Sequence, residues 1–196
     1  MERTVVFMDA GFIDKVANNF GIRFDFAKLI QHAADGGRLV RAFYYYCTPF
    51  KSPVPTPDEE VRYSNHQRFI DHLRKLDRLE LRPGRLAFRG HDGSSGAPIF
   101  EQKGVDVMLA VDLVRMAASH QFQKAVLLTS DGDFVPAIRA AKDLGLEVIL
   151  FYEAGHVHPD LLQAADVARP VDGHFIESTR RLLPATAPLR APTNNL

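Results

Sequence analysis

The 196-residue chain is predicted to fold as a single α/β domain with a mostly parallel sheet, flanked by helices on both faces in three layers. Three observations predict it. Apolar runs such as Val5-Val6-Phe7-Met8 are continuous rather than alternating, as strands covered on both faces require. Segments of helical period lie between these runs, the alternation typical of parallel sheets. A hydrophobic content of 46% supplies a sizeable core, which a disordered chain lacks.

Residues 3–9 read as a buried strand that stops at Asp9, followed by an Asp9-Ala10-Gly11 turn. Phe24, Ala27, Leu29 and Ile30 place a helix near 24–34, ended by Gly36-Gly37. An aromatic strand follows at 39–46. Its Tyr44, Tyr45 and Tyr46 alternate across the sheet, so core packing is expected ahead of base stacking. Residues 48–55 form a proline-rich loop. Thr56 is then an N-cap, Pro57 the first helical residue and Glu59 the partner in a capping box, opening a helix to about residue 76. Phe69, Ile70, Leu73 and Leu76 form its apolar stripe.

Residues 79–88 are predicted as one broken strand or a small hairpin around Arg82-Pro83-Gly84-Arg85, and 90–96 as a flexible loop. The helix at 104–118 is so apolar that it is expected to be largely buried. A strand at 125–129, a helix at 134–144, a strand at 146–152 and a short helix at 160–165 complete the pattern. The domain is expected to span 1–183, and the Pro-, Ala- and Thr-rich residues 184–196 to be a disordered tail.

Composition excludes several classes. No apolar run approaches the roughly 20 residues of a bilayer span, and no basic region with a cleavage site precedes the first strand. The expectation is a soluble cytoplasmic protein without membrane contact. Cys47 is the sole cysteine, which excludes intrachain disulfides and cysteine-based zinc sites and fits a small buried hydrophobe. His156 and His158 alternate without a third ligand, and the glycines at 90–96 lack a Walker lysine. Net charge is zero, with 24 bases and 24 acids, but it is unevenly spread. Residues 61–90 carry eight Arg/Lys against three acids, and 91–166 carry eleven acids against five bases. Bases on one segment and carboxylates on another suit a phosphate-bearing partner.

Open parallel sheets place their sites beyond the carboxyl ends of strands. Asp9 ends the first strand, Ser130-Asp131-Gly132-Asp133 follows the strand at 125–129, and Asp106 lies in the first turn of the helix leading into that strand. Asp9, Asp106, Asp131 and Asp133 therefore converge if the strands are neighbours. Clustered carboxylates repel one another and raise each other's pKa, which a hard divalent cation, Mg²⁺ or Mn²⁺, relieves. Each acid also has a structural use: Asp9 in a turn, Asp106 and Asp133 as helix caps. Asp112, about 240° further round the helix than Asp106, reads as a separate buried acid.

These residues resemble a known family. Val5-Val6-Phe7-Met8-Asp9, then Lys103-Gly104-Val105-Asp106-Val107 with Leu109-Ala110-Val111-Asp112-Leu113, then Leu127-Leu128-Thr129-Ser130-Asp131-Gly132-Asp133-Phe134, look like the motifs of NYN domain proteins of the LabA-like group, in the right order. The resemblance covers roughly residues 3–170. It implies a PIN-like nuclease fold and a metal-dependent ribonuclease site, with Asp9, Asp106, Asp131 and Asp133 as metal-binding and catalytic acids and RNA as partner. Lys103, Thr129 and Ser130 are the candidate substrate-binding residues. One departure stands out: family members commonly carry an Asn shortly after the first Asp, where this chain has Ala10-Gly11-Phe12, leaving Asn18 or Asn19 as substitutes.

The leading expectation is a Mg²⁺- or Mn²⁺-dependent endoribonuclease. The alternative is a catalytically weak RNA-binding or regulatory protein, and the third a phosphohydrolase of small phosphate esters. Homo-oligomer formation is compatible with each.

Overall fold

Arg3–Asp9 (β1) is the centre of the molecule because neither of its faces meets water: Val5, Val6, Phe7 and Met8 are each fully buried. A computed structural model describes residues 1–34, 36–91, 93 and 98–182. The tail expected at 184–196 and most of the loop at 90–96 lie outside the described residues.

The strands Arg38–Cys47 (β2), Leu79–His91 (β3), Pro98–Lys103 (β4), Lys124–Leu128 (β5), Glu147–Tyr152 (β6) and Val167–Pro170 (β7) join β1 in one sheet, ordered β4-β3-β2-β1-β5-β6-β7. All neighbouring pairs are parallel except β3 with β4. Val6 and Met8 face a core shared with the helices Ala10–Asn19 (α1), Phe26–Ala33 (α2), Pro57–Leu73 (α3) and Gly173–Thr179 (α7). Val5 and Phe7 face the opposite core, built with Val105–Ala117 (α4), Val135–Asp143 (α5) and Pro159–Ala164 (α6). This is the expected three-layer α/β fold. Tyr44 and Tyr46 pack in the first core and Tyr45 in the second, all buried, as the alternation predicts.

Several elements differ from the sequence reading. The Asp9-Ala10-Gly11 turn is the start of α1, whose Phe12, Ile13 and Val16 recur at helical spacing and are buried. A three-residue start to that stripe, interrupted by Asp14 and Lys15, is a weak periodic signal. The capping box at Thr56 and Glu59 is present, although α3 ends at Leu73. β3 is one continuous strand that changes partner midway: it pairs with β2 up to Gly84 and with β4 from Arg85. The strand β4, β7 and helix α7 have too little patterning to stand out. α4 is buried on one side only, since Val107 and Val111 are 66% and 56% exposed. They lie one turn apart on the solvent side, so an apolar sequence did not mean burial all round.

Gly84 sits where three elements meet. A Cβ there would lie 2.5 Å from Val105 Cγ2, 2.9 Å from Cys47 Sγ and 3.1 Å from the Lys103 carbonyl oxygen. Bare backbone at this point lets α4 begin against β2 and β3. Gly84→Ala is expected to destabilise the protein by about 1–3 kcal/mol through overpacking, measured as a lower urea midpoint. An unchanged midpoint would mean that α4 shifts freely.

Candidate functional site

The strand register decides which polar residues meet. Met8 is opposite Leu128, so the next residues, Asp9 and Thr129, emerge side by side at the carboxyl edge. Leu128 is opposite Phe151, which carries Glu153 to the level of Ser130. Alternation along β1 puts Asp9 on the same face as Phe7, toward α4.

Thr129 is fully buried and joins two of the acids. Its hydroxyl donates to Asp9 Oδ2 at 3.4 Å and accepts from the Asp131 N–H at 3.2 Å. Asp9 Oδ1 accepts from the Gly11 N–H at 2.9 Å and caps α1, so the turn role and the candidate site role coincide. Asp131 Oδ1 accepts from the Asp133 N–H at 2.9 Å and caps the short turn Gly132–Phe134. Asp133 and Asp106 do not cap these helices with their side chains: the N-cap positions are Phe134 for α5 and Gly104 for α4, and neither helix has a side-chain cap bond. The capping alternatives for these two acids are thereby corrected.

Electrostatics ties the four together. Burial pushes the Asp9 carboxyl up to about 6; the Gly11 N–H opposes this, Asp106 adds to it and Thr129 opposes it. Asp106 is likewise raised, first by burial and then by the charges of Asp131 and Asp133. Asp106 is therefore the link between Asp9 and the Asp131-Gly132-Asp133 turn. Among the described residues, no Lys or Arg forms an ion pair with any of the four.

A divalent cation fits this donor set in one particular way. Among the described residues, no three His, Cys, Asp or Glu side chains converge into a cation cage. Magnesium, however, is ordinarily held by one or two carboxylates together with water and substrate phosphate oxygens. A raised carboxyl beside further carboxylates, all oxygen donors, suits that open arrangement better than a closed structural site.

The remaining predicted residues lie around this edge. Lys103 ends β4 and stands opposite Arg85 across the antiparallel pair, immediately before Gly104 and α4. Ser130 Oγ accepts from the Glu153 N–H at 3.1 Å. Cys47 is half-buried; burial, with Asp106 nearby, pushes its thiol up, which disfavours a reactive thiolate.

Two acids were not anticipated. Glu153, only 6% exposed just after β6, accepts a hydrogen bond from Asn19 Nδ2, while its Oε2 lies 3.8 Å from Lys15 Nζ and 3.6 Å from His156 Nδ1. It ties the end of α1 to the loops after β5 and β6. Its position one residue beyond the strand at 146–152 was the available signal. Asp14, raised by burial, joins Asp9 in raising Tyr44, which puts it near the same edge. Asp112 is the separate buried acid expected. Burial opposes its charge, but hydrogen bonds from Arg82 at 3.0 Å, Arg115 at 3.0 Å and Tyr45 at 3.1 Å outweigh this and hold its pKa down. Finally, a Cβ on Gly132 would lie 3.2 Å from His158 Cβ, so His158 packs on the turn between Asp131 and Asp133.

Comparison with known proteins agrees with this architecture. The family described as NYN domain matches residues 3–172. The chain is 25% identical, over 97% of its length and 96% of the relative's, to the low amplitude and bright protein LabA of Synechococcus elongatus. It also resembles the crystal structure of a protein of unknown function from Vibrio parahaemolyticus, with a TM-score of 0.65 and 17% identity, covering 88% of this chain and 94% of that one. No helix among the described residues is long and apolar enough to cross a membrane.

The Asp9 carboxyl makes a signed pH prediction. Its folded pKa of about 6 exceeds the unfolded value of 3.8, so between these limits the native state binds more protons and stability falls as pH rises. Asn caps a helix as well as Asp. Asp9→Asn is therefore expected to stabilise the protein at pH 7.5 by on the order of 2–3 kcal/mol and to change little at pH 4. Urea unfolding at both values checks this; an equal gain at each would contradict it.

Proposed function

Because the chain belongs to the NYN domain family, with its LabA-like branch and PIN-like fold, we propose that it is a Mg²⁺- or Mn²⁺-dependent endoribonuclease. The observation that carries the reading is the coupling of Asp106 to Asp9 on one side and to Asp131 and Asp133 on the other, at one sheet edge and, among the described residues, without an ion-paired Lys or Arg. In this reading, Asp9, Asp106, Asp131 and Asp133 are the acids from which one or two carboxylates at a time would hold the metal, with water and substrate phosphate completing its shell. When bound, such an ion supplies Lewis-acid polarisation of the scissile phosphate and acidifies water at neutral pH.

The chain's own residues supply position. Thr129 ties the Asp9 carboxylate to the backbone N–H of Asp131 and, being buried, acts on this edge rather than on RNA. Ser130 fixes the same loop through the Glu153 backbone. Lys103 and Arg85, opposite each other beside α4, attract the phosphate chain toward the acids, aided by the amides at the start of that helix.

A second reading, an RNA-binding protein of weak catalytic power, has one observation in its favour. The position where relatives commonly carry Asn holds Phe12, which is buried, and Asn19 is engaged with Glu153 rather than with Asp9. Asn19 is thereby not placed to orient a reactant at Asp9.

The test is incubation of the purified chain with labelled single-stranded and structured RNAs and Mn²⁺. Cleavage is expected, with EDTA or Asp131→Asn each lowering the rate about 100-fold or more. Cleavage unchanged in either control overturns the mechanism, and binding without cleavage of any RNA selects the second reading. Independently, Mn²⁺ at pH 7.5 is expected to raise the unfolding midpoint of the wild type and not that of Asp9→Asn.

A further inference from the structure

We propose that the cleft beyond β2 is a nucleobase subsite that seats a base flanking the bond presented to the acids; the inference rests on RNA being the ligand of that edge. The cleft has a volume of about 650 Å³, within the range of small-ligand sites. Its lining is largely apolar, with Phe50 and Tyr63 as aromatic members together with Pro49, Pro53 and Leu86. Every base offers a π-face, so an aromatic-walled cleft at the edge of a phosphate-binding site matches a base irrespective of its identity.

Both walls start next to the acids. Thr48 follows Cys47, whose thiol feels the charge of Asp106. Leu86 lies two residues beyond Gly84, which abuts Val105, the residue before Asp106. Consecutive Cα atoms are about 3.8 Å apart, so a strand of RNA crossing the acid edge reaches the cleft within a nucleotide or two. Between them stand Arg85, adjoining Leu86, and Lys103 across from it, suitable for the intervening phosphate.

The cleft is also built in advance. Ser52 Oγ donates to Glu59 Oε2 at 2.6 Å, Lys51 Nζ pairs with Glu60 at 2.7 Å and an Arg62 N–H reaches the Phe50 carbonyl at 3.4 Å. The first turns of α3 thus hold the proline-rich loop open. Lys51 Nζ stands 5.1 Å from the centre of the Tyr63 ring, placing a cation beside an aromatic wall. A preorganised pocket avoids the ordering cost that a mobile loop would add on binding.

The experiment uses the full chain carrying Asp131→Asn, so that RNA remains intact, and follows fluorescence anisotropy of a 5′-labelled single-stranded oligoribonucleotide. Adding Tyr63→Ala or Phe50→Ala is expected to weaken binding about 10-fold or more, whereas Tyr63→Phe keeps the affinity. Tyr63→Leu, which retains apolar bulk without the ring, is expected to lose it, with the unfolding midpoint checking that each variant is folded. An abasic residue at one position of the oligonucleotide should make the parent and Tyr63→Ala bind alike. Affinity unchanged in every folded ring-deletion variant, a loss independent of where the abasic residue lies, or no RNA binding by the parent would overturn the subsite.

The two proposals fail separately. Ring-dependent binding by a wild-type chain that cuts no RNA with Mn²⁺ leaves the subsite and removes the nuclease. Metal-dependent cleavage with ring-independent binding does the reverse.

Discussion

A parallel sheet covered on both faces confines polar chemistry to the ends of its strands, and the rest of this molecule follows from that confinement. The side chains of β1 from Val5 to Met8 and of β5 from Ala125 to Leu128 are fully buried, so a charged residue within either would be stranded in the core. Asp9 is the first position after the buried run of β1 at which a carboxylate can be solvated, and it is solvated incompletely. The Gly11 N–H and the Thr129 hydroxyl compensate part of the loss, but burial still dominates. The sheet edge therefore stores an unfavourable charge that a cation would relieve.

Polar groups elsewhere at the edge hold this arrangement rigid. Thr129 links β1 to the loop after β5, Ser130 links that loop to the end of β6, and Glu153 links β6 to α1. Strand ends that would otherwise splay are cross-linked by partly buried hydrogen bonds, among them those of the buried Thr129 and Glu153, where an unmade bond is costly. A second network, Asp112 with Tyr45, Arg82 and Arg115, fastens α4 to β2 and β3. Gly84 lets the same helix approach closely at its start. The position of Asp106 is thus set by packing one residue away rather than by contacts of its own carboxylate.

The layers of the fold were legible because continuous apolar strands and the capping box at Thr56 are local signals. The acids at strand ends were legible for the same reason: Asp9 and Asp131 each interrupt a run whose burial is already implied. What escaped depends on partners distant in sequence. α1 has a stripe of only Phe12, Ile13 and Val16, completed by α2 and α7, and β4 is defined by pairing with a strand that itself switches partners at Gly84. Glu153 lacks meaning until β6 is set beside β5 in register, when its backbone meets Ser130. The apolar composition of α4 misled because Val107 and Val111 point away from the sheet while Leu109 and Leu113 fill it; composition does not distinguish faces when both are apolar.

The uneven charge along the chain also changes meaning in three dimensions. The surplus of arginine in residues 61–90 is not a free positive field. Arg74 pairs with Asp71, Arg78 donates to the Leu39 carbonyl, and Arg82 is held between Glu80 and Asp112 with its guanidinium 4.8 Å from the centre of the Phe43 ring. Arg68 is engaged with Asn65 and the Ser64 carbonyl on its own helix. Arg78 and Arg82 fasten β3 to β2 and α4, while Arg68 and Arg74 are engaged along α3 itself, so they cannot each neutralise a phosphate without giving up an existing contact. An RNA partner would consequently displace few counterions, and its binding would vary only gently with salt. Recognition then falls to short-range contacts at the carboxyl edge, where Arg85 and Lys103 stand next to the acids, and to the shape of the surface around them.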